Sequence, residues 1–177
     1  MKSPSSVFLL SVALCLASQL PAFGHSATTP APRGDKWWQD RHESFNQRVA
    51  EVGEKAQVIF IGDSITQGWE GAGKAVWARY YAPRLAINLG IGGDRTQHVL
   101  WRLDNGNLAG LNPKAAVVMI GTNNSNGYDN TAGQIVEGVT EIMERLRAKL
   151  PDMKILPVAT FPRGENYNDP RGKLLQA

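Results

Sequence analysis

The chain has one cysteine, Cys15, and three histidines, His25, His42 and His98, in 177 residues. Cys15 lies inside an N-terminal apolar run, residues 7–17. If that segment is removed, no thiol remains, which excludes disulfides, a thiolate nucleophile and a cysteine metal site. A lipidated Cys15 fits poorly, because Leu14 precedes it and the cysteine sits within the run itself. Also missing is an apolar stretch of the roughly 20 residues that a stable membrane span needs. Nor is there a marked excess of one charge, since 19 Lys and Arg stand against 16 Asp and Glu, interspersed along the chain. That balance argues against nucleic acid and against a polybasic membrane patch. No group of His, Asp and Glu has metal-ligand spacing, and no repeat or low-complexity tract is visible.

What is present starts with a leader. Residues 1–24 carry one lysine, the apolar run, then Pro21, Ala22 and Gly24 at cleavage spacing, the pattern of a secretory signal peptide. The expectation is export, to the periplasm or the medium, leaving about 153 residues, enough for one domain with a single core. Residues 25–34, with two prolines in 28–33, are expected to be an exposed linker. The folded domain is then 35–177.

Hydrophobic spacing supplies the elements. Trp38, Phe45, Val49 and Val52 stripe one face of a helix over 36–52. Four short apolar runs at 58–61, 85–89, 115–120 and 155–161 show little polar alternation, as parallel strands covered on both faces do. Helical patterns at 74–81, 96–103 and 131–150 separate them, the last with Ile135, Val139, Ile142, Leu146 and Leu150 on one face and a capping box of Thr131 and Gln134. Alternating strands and helices imply an α/β fold, a parallel sheet with helices on both faces. In such sheets ligands bind beyond the strand C-terminal ends.

Three short motifs fall at that edge: Gly62-Asp63-Ser64, Gly92-Gly93-Asp94 and Gly121-Thr122-Asn123-Asn124. Taken singly, each is a common turn. Placed at successive strand ends, they combine a candidate nucleophile, Ser64, with candidate oxyanion donors in the Gly93 backbone N–H and the Asn123 side-chain amide.

These stretches resemble the SGNH hydrolase family, also called GDSL esterases. GDSITQGW (62–69), NLGIGGDRTQHVLWRL (88–103) and GTNN (121–124) are similar to three of its four sequence blocks, and the second, with FPRGE at 161–165, most resembles the catalytic subunits of platelet-activating factor acetylhydrolase and their bacterial relatives. The resemblance runs from about Trp37 to the end. It implies a three-layer α/β/α sandwich with a flavodoxin-like sheet. It also implies a serine esterase that cleaves short acyl esters, acetyl above all, without cofactor or metal. Ser64 would be nucleophile and oxyanion donor, Gly93 and Asn123 would complete the hole, and Asp63, Asp94 and Asn124 would support the turns. The substrate would be a small-molecule, glycan or lipid ester; oligomeric state is left open.

The family's fourth block, an Asp-x-x-His after a fifth strand, does not occur before Ala177. Only the opening of a further crossover follows the fourth strand, so the domain is expected to lack its final strand, that block and its last helix. The alternative is a noncatalytic ester- or glycan-binding remnant without a general base. His42 and His98 lie on helices and read more simply as packed or solvated residues than as a substitute base.

Other signals weaken on inspection. Residues 68–74 match the GxxxxGK spacing, but Ala75 stands where a magnesium-binding Ser or Thr is needed. Arg95 occupies the third glycine position of a dinucleotide motif beginning at Gly90. Thr66 replaces the second glycine of the GxSxG elbow. The tryptophans read as mostly core, with Trp69 near enough to Ser64 to line an acyl or alcohol pocket.

Overall fold

A computed structural model describes residues 24–164 and 168–176, apart from the Tyr128 side chain. The expected signal peptide lies outside the described residues. Helix α1, Lys36–Val52, starts where Asp35 accepts the Trp38 N–H and stops at Gly53. Strand β1, Val58–Gly62, leads into α2, Ser64–Gln67, and then α3, Lys74–Tyr80. Strand β2 is Ile87–Gly90, α4 Thr96–Asp104 and β3 Ala115–Met119. A 3₁₀ segment, Thr122–Tyr128, precedes α5, Ala132–Lys149, whose Thr131–Gln134 capping box forms as its spacing suggests. Strand β4, Lys154–Pro157, and α6, Pro170–Gln176, complete the described elements.

The strands form one parallel sheet in the order β2-β1-β3-β4. Residues alternate between its faces. Ile59, Ile61, Ile87, Leu89, Ala116 and Val118 share one core with Trp38, Phe45 and Val49 of α1, Val99, Leu100 and Leu103 of α4, and Ile142 and Leu146 of α5. Phe60 faces the other way, into the rings of Trp69, Trp77 and Tyr81 at centroid distances of 6.2, 5.1 and 4.9 Å. The fold is thus α/β with flanking helices. The chain crosses from β2 back past β1 to place β3 on its far side, so the switch in strand order falls between β1 and β3. No described helix is long and apolar enough to cross a membrane.

Two strand boundaries differ from the spacing. Leu85 is left-handed (φ 48°) at the end of the Ala82–Arg84 turn, so β2 begins only at Ile87. At the fourth strand, Val158 N–H still reaches Val118 O, but β3 ends at Met119 and Gly121 (φ 120°) turns the partner away, so that among the described residues 159–161 pair with no strand.

The segment read as an exposed linker is docked instead. Ala27 is fully buried, Thr96 Oγ1 donates to Ala27 O at 2.7 Å, and Ala31 N–H reaches Gln97 O at 3.2 Å. His25 and Glu137 pair at 2.7 Å. The small residue at Gly138 leaves room on α5 for this crossing, since a Cβ there would meet Ala27 O at 2.6 Å.

Candidate active site

Ser64 is the first residue of α2 and is exposed. The preceding Asp63 is buried and accepts the Ile65 N–H at 3.0 Å, which caps this short turn and leaves the serine at its rim. Two features seat α2 on the sheet edge. Asn88 donates to Thr66 O at 3.1 Å, and Gly90 lies so close that a Cβ would fall 2.4 Å from Gln67 N. Gln67 then reaches the β2 loop, its Oε1 accepting the Gly92 N–H at 2.7 Å.

Gly93 follows with φ 79°, a conformation glycine adopts without strain. Among the described residues no acceptor takes its N–H. Asp94 anchors the loop below: it is fully buried, accepts the Trp38 indole N–H at 2.7 Å, and is ion-paired with the buried Arg102 at 2.9 Å. Burial pushes the Asp94 carboxyl up, and Arg102 and Trp38 pull against that shift. Burial likewise raises Asp63.

The β3 loop closes the arrangement. Asn123 Nδ2 donates to Asp94 O at 3.0 Å and lies 3.4 Å from Asp63 Oδ2, so one amide touches the residue before Ser64 and the residue after Gly93. Asn124 turns inward: its Oδ1 accepts the Thr96 N–H at 3.0 Å, and its Nδ2 donates to Thr96 Oγ1 at 2.9 Å and Asn130 Oδ1 at 3.0 Å. Three loops from β1, β2 and β3 therefore meet at the switch in strand order, the position at which open α/β sheets bind ligands. Ser64, Gly93 and Asn123 sit on them.

The chain belongs to the GDSL-like lipase/acylhydrolase family. That family's model matches residues 60–177. The chain is 39% identical over 142 residues to platelet-activating factor acetylhydrolase IB subunit alpha2 of Rattus norvegicus, covering 80% of this chain and 58% of the rat protein. It is 38% identical over 152 residues to the alpha1 subunit of Bos taurus, covering 83% and 62%. The chain thus spans about three fifths of the length of these curated relatives. A GDSL-like lipase from Bacteroides thetaiotaomicron shares the fold, with a TM-score of 0.60 at 20% identity over 76% of this chain and 67% of that one.

In this GDSL-like protein the three histidines are committed elsewhere. His42 is buried, stacks on Trp38 at 5.7 Å and sits between Asn46 and Asn107; burial lowers its pKa. His98 Nδ1 accepts the Arg95 N–H at 3.0 Å, and burial lowers its pKa to about 4. His25 pairs with Glu137. None is hydrogen-bonded to Ser64. Trp69 lines an apolar cavity of about 560 Å3 with Ile65, Phe60 and Met119, but Ser64 is not in its wall.

Several neighbours of the site carry little sequence signal. Gln67 lies in the GDSITQGW stretch, but nothing in the sequence singles it out there. Arg41 donates twice to Gly90 O, at 3.0 and 2.8 Å, and Arg163, from the FPRGE stretch, donates to Thr122 O at 2.8 Å. Each makes a long-range side-chain contact to a backbone group, Gln67 to an N–H and the two arginines to carbonyls, which local spacing does not encode.

Proposed function

We propose that the protein hydrolyses carboxylic esters of short acyl groups, acetyl first among them, through an acyl intermediate on Ser64. The observation that carries this is the Asn123 amide, which joins the Ser64 turn to the Gly93 loop. An ester carbonyl approaching Ser64 would develop an oxyanion facing the Ser64 and Gly93 N–H groups. Asn123 would join them by exchanging its long 3.4 Å contact with Asp63 for the oxyanion. Family membership and the acetylhydrolase relatives support the reaction class and the small acyl group. The general base for Ser64 must come from outside the three described histidines, because each of their rings is held by other partners.

The test is turnover of p-nitrophenyl acetate and longer acyl esters by the full-length gene product and its Ser64→Ala variant. The expected result is a loss of at least about 10^3-fold in kcat, with acetyl the best of the series. Undiminished turnover by the variant would refute the assignment. A wild-type protein that binds an ester or acetylated glycan with no turnover would favour the noncatalytic binder.

A further inference from the structure

The docked N-terminal segment ends beside the candidate oxyanion loop. Arg33 Nη1 donates to Gly92 O at 2.8 Å, its Nε donates to Asp35 Oδ2 at 3.0 Å, and Nη1 lies 3.9 Å from Asp94 Oδ1. A Cβ on Gly93 would fall 3.0 Å from the same Nη1. The carbonyl that Arg33 holds belongs to the peptide unit whose N–H is that of Gly93. In a trans peptide these two groups point in opposite directions. A guanidinium fixed at the carbonyl end therefore turns the Gly93 N–H away from itself. It also polarises the amide, strengthening that N–H as a donor.

We infer that Arg33 is a positioning residue: it clamps the Gly92–Gly93 peptide with the Gly93 N–H presented as an oxyanion donor. This rests on the reading of Gly93 as such a donor. The clamp has two ends, because Gln67 Oε1 holds the Gly92 N–H at 2.7 Å while Arg33 holds the Gly92 carbonyl. Glycine at 93 permits the required φ of 79° and leaves the space that the guanidinium occupies. Arg33 is itself fixed from two sides, by Asp35 at the start of α1 and by the backbone crossing at Ala27 and Ala31. A segment contributed from before the first helix thus reaches the centre of the site.

The experiment compares wild type, Arg33→Ala and Arg33→Lys in the full-length gene product, by the Gly93 amide proton shift in NMR and by kcat and KM for p-nitrophenyl acetate. Arg33→Ala is expected to move the Gly93 amide upfield more than any amide outside residues 31–36 and 90–95. It should also lower kcat about tenfold with KM within about twofold, since one donor is misplaced rather than removed. Lysine can bond Gly92 O or Asp35 but not both in the same fork geometry, so Arg33→Lys should fall between the two and provides the comparison if the alanine variant folds poorly. A Gly93 amide that does not move, with kcat unchanged, overturns the inference. If the amide moves in the variants but the wild type shows no turnover, the clamp stands and the hydrolase reading fails.

Discussion

At the residue level, His98 shows how closely the site's supports depend on a neutral ring. Its Nδ1 accepts the Arg95 N–H, which only an unprotonated nitrogen can do, and Arg33, Arg95 and Arg102 add positive charge nearby. The unfolded chain binds a proton at this group near pH 6.5 and the folded chain only near 4. Between those values the unfolded state holds more protons, so stability rises with pH. The contribution is complete above about pH 6.5 and is lost as pH falls toward 4, about 3 kcal/mol from this group. Urea midpoints measured from pH 7 to 4.5 should fall steeply for wild type and less steeply for His98→Asn, whose amide oxygen can accept the same N–H. Equal slopes would show that His98 is not responsible. The adjacent Asn123 and Asn124 occupy different environments. One is half-buried where three loops join and the other fully buried beneath α4, a division that the motif Gly-Thr-Asn-Asn does not display.

Among the elements, the crossing of the N-terminal segment over α5 gives a prediction of unusual sign. Gly138 is interior to α5, where glycine to alanine ordinarily stabilises a helix by about 0.5–1 kcal/mol. Here the added Cβ would meet Ala27 O at 2.6 Å and Thr96 Oγ1 at 2.7 Å, and the first of these is backbone that cannot rotate aside. Gly138→Ala should therefore lower the melting temperature, by an amount equivalent to about 1–3 kcal/mol. A raised melting temperature would mean that the segment does not pack there. This crossing also marks what local pattern could and could not reveal. Helix α1 and the α5 capping box were legible because periodicity and caps depend on neighbours in sequence. The docking of residues 25–33 was not, because Ala27, Ala31 and Arg33 find partners more than fifty residues away. Polar, proline-bearing composition is the same for a free linker and a pinned one.

For the molecule as a whole, the site follows from sheet topology. With the order β2-β1-β3-β4, the loops after β1 and β3 diverge at the switch point, and the β2 loop folds in beside them. The location of Ser64, Gly93 and Asn123 at strand ends was readable from spacing. Their joining was not, because it depends on the Asn123 amide and on the buried Trp38–Asp94–Arg102 cluster, which links α1, the β2 loop and α4. That cluster fixes the β2 loop with charges removed from water, an arrangement in which removing one partner is more costly than the pair is stabilising.

The proposed role of Ser64 is that of a nucleophile facing the Ser64 and Gly93 N–H groups and the Asn123 amide. Its most direct measurement is peptide mapping by mass spectrometry after the full-length gene product has reacted with a serine-directed fluorophosphonate. A single covalent adduct on Ser64 is expected, formed at least about 10^2-fold more slowly in Asn123→Ala because the developing oxyanion would lose a donor. A protein that turns over p-nitrophenyl acetate yet carries no adduct on Ser64, or carries it on another residue, would rule out Ser64 as the nucleophile.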